Sequence, residues 1–146
     1  ATGRPTVGVS TLEGLAYNLF GADGIVSPIM DARRGQVYNA FYRFSDGVLK
    51  TIEKPRAVSL EDCARQLKEY NEKVVFLGDG VQVFRQRLTE ILGESALFAP
   101  QNVCMQRASS VAEAAKNKKT VGYAELVPDY FRKSQAERES EERGKK

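Results

Sequence analysis

Histidine is absent from the 146 residues. That removes the commonest general base and the commonest metal ligand, and with them any Ser-His or Cys-His nucleophile pair and any H-E-x-x-H zinc site. Catalysis, if there is any, has to come from carboxylate, lysine or tyrosine. Cysteine occurs only at Cys63 and Cys104, in unrelated contexts. Two such residues make neither a disulfide framework nor a metal motif, so a reducing, cytoplasmic setting is expected. No apolar run approaches the ~20 residues of a bilayer-spanning helix, and residues 1–8 lack the apolar centre of a signal peptide. The net charge of +3 is too small to point to nucleic acid by itself. The P-loop pattern is missing, and G-x-G-x-x-G fails because position 83 is Val.

What is present is an ordinary globular composition, 42% hydrophobic and 28% charged, at the length of one domain. Hydrophobic periodicity marks its elements. Residues 6–10 (TVGVS) read as a short strand. Thr11 is placed to cap a helix over 12–20, whose Leu12, Leu15, Ala16 and Leu19 share one face. Strands follow over 25–32, 37–44 and 48–54, with Ser45-Asp46-Gly47 turning between the last two. The first is apolar on nearly both faces. The second has one apolar side (Tyr38, Ala40, Tyr42, Phe44) and one mixed side, and the third carries Lys50, Glu53 and Lys54. Burial therefore falls from a central strand to an edge. Ser59 and Asp62 form a capping signature for a helix ending near Tyr70, with Leu60, Cys63, Ala64 and Leu67 as its stripe. A short apolar strand over 74–77, a helix over 81–92 stopped by Gly93, a strand over 96–99 and a helix over 110–116 complete the series.

The order β-β-β-α-β-α-β-α predicts a mixed α/β sheet of five strands covered by helices, and the fall in burial makes the first and fourth strands central, so the strand order 3-2-1-4-5 fits. That order resembles the ribonuclease H-like arrangement, the building block of the actin-like ATPase superfamily. Residues 1–24 read as a leading strand and helix, 25–131 as the ribonuclease H-like domain, and 132–146 as a charged tail.

Three features could carry chemistry. Asp31 and Asp79 should end neighbouring strands at one edge of the sheet, where open α/β sheets bind ligands. With Glu61 as a third carboxylate they could hold a divalent cation for phosphoryl transfer. The competing reading has Asp79 serving a Gly-Asp-Gly turn and Asp31 paired with Arg33 or Arg34, and two adjacent cations make it the stronger one. Arg33 and Arg34 suit a phosphate or a partner's carboxylate, and Gly35 is expected to supply a positive φ. Gly78-Asp79-Gly80 lies between a strand and a helix N-terminus, where phosphates can bind backbone N–H groups, but as a lone glycine turn it reads as structural. Tyr38, Phe41, Tyr42 and Phe44 alternate as strand residues do, and Cys63 lies on a core stripe.

The stretches GVSTLEGLAYN, DARRGQVYNAFY, VVFLGDGVQVFR and PDYFRKSQAERE, in this order and spacing, resemble the bacterial TsaB (YeaZ-like, formerly glycoprotease-like) proteins. The specific parts are DARRG-x-VY and the closing Y-x-R-x-SQAER. The resemblance implies an actin-like ATPase relative that acts in making threonylcarbamoyladenosine in tRNA. It implies a non-catalytic scaffold subunit without cofactor, working with a TsaD-like catalytic subunit and a TsaE-like ATPase and meeting tRNA only through that complex. It marks Asp31, Arg33, Arg34, Gly35, Tyr38, Gly78, Asp79 and Gly80 as family-motif or recognition positions. Family members carry an ILAIDTS-like strand and a GPGSFTGLR-like stretch ahead of the point where Ala1 stands. The resemblance thus implies a second-domain fragment lacking about 90 residues, impaired in assembling the complex. Apolar surface near residues 6–19 is then expected to be uncovered and to favour a homodimer. A carboxylate-metal enzyme of the ribonuclease H-like class is the second reading, and a peptidase the least favoured, for want of histidine.

Overall fold

The computed structural model describes residues 3–130. The charged tail over 132–146, and the closing motif from Phe131 onward, lie outside the described residues.

Five strands form one sheet in the order β3-β2-β1-β4-β5, as the fall in burial predicts. β1 (Ile25–Asp31), β2 (Gln36–Ser45) and β3 (Val48–Ser59) are an antiparallel meander, whereas β4 (Val74–Leu77) and β5 (Ala96–Phe98) run parallel to β1. Asp46 and Gly47 both have positive φ (52° and 74°) and close the β2–β3 hairpin at the Ser45–Val48 pair. That conformation matches the right-handed twist of the flanking strands, and Asp-Gly supplies it cheaply.

Alternation along the strands feeds two cores. On one face, Ile25, Ile29, Val37, Phe41, Val74 and Phe76 meet α2 (Leu60–Glu69) and α3 (Gly80–Leu92) through Cys63, Leu67, Val81 and Leu88. On the other, Val26, Ala40, Tyr42 and Leu77 meet α1 (Thr11–Ala16) through Leu12, Leu15 and Ala16. The first helix is thus part of the core. The capping signature of α2 forms as expected: Asp62 N–H donates to Ser59 Oγ at 3.1 Å, and Ser59 Oγ donates back to Asp62 Oδ2 at 2.7 Å.

Several expected boundaries move. Residues 6–10 form no strand; Thr6 makes a single antiparallel bridge, to Val121. The first helix starts with Ser10, not Thr11, at the N-cap, and after Ala16 it tightens into a 3₁₀ turn over Tyr17–Leu19. β3 runs on to Ser59, through Pro55; proline is tolerated because β3 is an edge. A short α4 (Gln101–Cys104) follows Pro100 and was not anticipated. The last described helix, α5 (Ala108–Ala115), packs against α1 where Gly14 leaves room for Gln106 and Val111.

Pro28 is fully buried in β1, between β2 and β4. A proline there lacks the N–H that a central strand must donate. The register that pairs Ile29 with Asn39 and Val26 with Tyr42 sets Pro28 opposite Ala40. Ala32 N–H donates to Gln36 O across the same hairpin, so every second pair, Pro28–Ala40 included, is of the hydrogen-bonded kind. Asn39 fills the gap. Its Nδ2 lies 3.3 Å from Ala40 O, 3.2 Å from Pro28 O and 3.0 Å from Ser27 Oγ. A buried polar side chain thereby stands in for a missing backbone donor.

Candidate functional site

The β1–β2 corner is built from consecutive left-handed residues. Arg33, Arg34 and Gly35 have φ of 66°, 53° and 70°. Glycine adopts this region freely; an arginine does so at a cost of about 1–2 kcal/mol. The expected positive φ of Gly35 is present, and the two arginines share it, which nothing in their side-chain chemistry signals. The conformation is held from several sides. Arg33 N–H donates to Asp31 Oδ1 at 2.8 Å, Gln36 N–H to Arg33 O at 3.0 Å, and Leu60 N–H, at the start of α2, to Gly35 O at 2.9 Å.

Asp31 and Asp79 do come together, but as a structural pair. Asp79, at the N-cap of α3, accepts the Asp31 backbone N–H on Oδ1 at 3.1 Å. Asp31 spends one oxygen on Arg33 N–H, and its other lies 3.8 Å from Arg33 Nη1. Glu61 is drawn away: both its oxygens are held by Arg87 of α3, at 2.7 and 3.1 Å. That guanidinium keeps the Glu61 carboxyl below the ordinary carboxylate range. Among the described residues no group of three or more carboxylate or thiol side chains is placed to hold a metal ion. The three-carboxylate cation site considered above is therefore not assembled.

The Gly-Asp-Gly turn is equally committed. A Cβ on Gly78 would stand 2.3 Å from Ile29 O, and one on Gly80 would stand 3.0 Å from the same oxygen. Gly78 has φ of 102°, and its N–H donates to Cys104 O at 2.7 Å. These glycines let α3 enter directly over β1, and the Gly78 amide is already bonded.

Tyr38 belongs to a different place. With Met30, Lys54 and Pro55 it lines an open groove of about 1160 Å³, walled by Val7–Leu12 on one side and Leu126–Tyr130 on the other. Val127 and Tyr130 there are 75% and 83% exposed. Sequence reasoning found neither the groove nor Asn39, although a proline inside an apolar central strand was the signal for a substitute donor. Cys63 is wholly buried, and burial pushes its thiol up to about 12, out of range for a nucleophile. Tyr42 is raised as well, by burial first and then by the charge of Glu13. No described helix is long and apolar enough to cross a membrane.

Three comparisons bear on this arrangement. A family model described as "TsaD: tRNA N6-adenosine threonylcarbamoyltransferase" matches residues 1–140. The tRNA threonylcarbamoyladenosine biosynthesis protein TsaB of Bacillus subtilis (strain 168) is 38% identical over 133 residues, 91% of this chain and 58% of its own length. A solved structure of a Pseudomonas aeruginosa protein with similarity to peptidase YeaZ superposes with a TM-score of 0.63, at 20% identity, over 88% of this chain and 60% of that one. The chain thus spans about three fifths of the relatives it matches. The likeness to the Pseudomonas structure, with the strand order 3-2-1-4-5, gives a ribonuclease H-like fold.

Proposed function

The chain belongs to the TsaD family of tRNA N6-adenosine threonylcarbamoyltransferases, and from that membership and its likeness to TsaB we propose that it is a non-catalytic subunit in the threonylcarbamoyladenosine modification of tRNA. Its proposed partners are a TsaD-like catalytic subunit and a TsaE-like ATPase, with tRNA met through the complex, in the cytoplasm. A homodimer through the groove beside residues 7–12 is a further proposed association. The observation that carries the non-catalytic reading is the closed state of the sheet edge. Asp31 and Asp79 are spent on backbone N–H groups, and Gly78 and Gly80 lie against Ile29 O. In a catalytic relative of this fold that edge would have to receive a ligand. The proposed recognition positions are Arg33, Arg34 and Gly35, with Asp31, Asp79, Gly78 and Gly80 as their support and Tyr38 in the groove.

The test is the modified-nucleoside content of tRNA, measured by mass spectrometry in cells depleted of this chain. Threonylcarbamoyladenosine should fall on depletion and return when the wild-type gene is restored. It should return equally with Glu61→Gln, which removes the third carboxylate that a cation site would need. Unchanged modification on depletion would overturn the assignment to this pathway. A stable Glu61→Gln chain that fails to restore modification would overturn the non-catalytic role.

A further inference from the structure

The corner over residues 33–35 is held in a costly conformation by more bonds than a turn needs. Its backbone is tied to β1 through Asp31 and to the start of α2 through Leu60, and Asp31 is itself braced by Asp79 at the N-terminus of α3. Strain kept in place by its surroundings is a mark of sites that present something. What is presented here is a guanidinium. Arg34 makes no hydrogen bond or ion pair among the described residues, and Arg33 is 85% exposed with only a long contact to Asp31. The corner stands at the carboxyl end of β1, where the sheet changes from antiparallel to parallel pairing.

We propose that this corner is a docking point for a carboxylate on a protein partner, with Arg34 as the principal contact and Arg33 beside it. The inference rests on the reading of the chain as a subunit and gives that subunit's recognition site its chemistry. Local charge decides between a protein and RNA. The segments bonded to the corner bring Asp31, Asp79, Glu61 and Asp62. Arg65 and Arg87 are already paired with Asp62 and Glu61. The corner is thus charge-balanced, not a basic stripe. RNA binding draws its affinity from many phosphate contacts, and this corner has only Arg33 and Arg34 left to offer them. A side-chain carboxylate needs just one guanidinium, from which it takes a two-pronged bond.

The test follows the arginine Nε–Hε signals of the isotope-labelled chain by NMR, with hexaglutamate and hexauridylate as probes and Arg34→Lys to assign the signal. Exposed Arg4 is the internal comparison. The Arg34 signal should respond at a several-fold lower hexaglutamate concentration than Arg4, and to hexauridylate no more readily than Arg4. Equal response of the two arginines to hexaglutamate, or a preference of Arg34 for the RNA, overturns the proposal. Arg34→Gly separates docking from architecture. It relieves the left-handed strain, so the melting temperature should rise by about 2–4 °C, while modification in cells should fall as far as with Arg34→Glu. A stabilised Arg34→Gly chain that sustains wild-type modification overturns the docking role and leaves the subunit reading standing. If depletion of the chain leaves modification untouched, the subunit reading fails, and the hexaglutamate result decides the carboxylate site on its own.

Discussion

Removing the Asn39 amide should show that this side chain completes a backbone ladder. In Asn39→Ala, Pro28 O keeps its ladder donor from the facing strand, whereas Ser27 Oγ loses the amide that donates to it. Ala40 O cannot recover, because Pro28 opposite it has no N–H. One buried carbonyl left without a donor costs about 1–3 kcal/mol, and the lost bond to Ser27 adds about 1 kcal/mol. Asn39 Oδ1 is itself buried without a partner, so its removal returns part of that. The balance is a destabilisation of about 2 kcal/mol, a large share of the stability of a domain this size. The sharper test is the double-mutant cycle with Pro28→Ala. That change gives back the N–H that Ala40 O lacks, and on its own it loses only about 0.4–1 kcal/mol of chain stiffness. In the Pro28→Ala background the cost of Asn39→Ala should shrink by about 1.5 kcal/mol. Urea unfolding at fixed m-value measures all four corners of the cycle. A coupling within the ~0.5 kcal/mol expected of independent sites would refute the reasoning.

Gly78→Ala should cost at least ~3 kcal/mol, since a Cβ there meets the Ile29 carbonyl at 2.3 Å and φ is 102°. In a thermal melt that is a drop of about 10 °C, and a loss under ~1 kcal/mol would mean that the turn can move off β1. Arg87 holds Glu61 and Glu90, and its guanidinium keeps both carboxyls below the ordinary carboxylate value of 4.5. A depressed carboxylate gives stability that is fully present above 4.5 and is lost as pH falls through the lower folded value. Arg87→Gln and wild type should therefore differ at neutral pH and converge in acid; a gap that persists or widens below that range would contradict the pairing.

The strand order could be read in the sequence because burial is a composition signal. Ile25, Val26 and Ile29 beside a polar third strand leave few ways to stack five strands. The capping of α2 by Ser59 was legible for a similar reason, since its partner lies three residues away. What stayed hidden depends on contacts distant in sequence or on backbone angles. Arg33 and Arg34 take left-handed angles in a corner that Leu60, far along the chain, fastens at Gly35 O, and that Asp79 braces one step back at the Asp31 N–H. No local preference of arginine announces it. The role of Asn39 emerges only when the register puts Pro28 across from its neighbour. The strand expected over 6–10 was a local β signal with a single partner residue to meet, Val121. Of the candidate site, the Asp31–Asp79 contact was anticipated from topology, whereas the loss of Glu61 to Arg87 was a matter of side-chain reach.

β3 is an outer strand of twelve residues. A bare edge of that length is a template on which an unfolded neighbour could add itself, strand upon strand. Pro55 breaks the row of donors in its second half, and exposed Lys50 and Lys54 place two positive charges along the rim. An incoming copy of the same strand would have to lay its own lysines beside them and leave a carbonyl unmatched at the proline. The residues that make β3 look poorly suited to a sheet thus act as gatekeepers against fibrous aggregation.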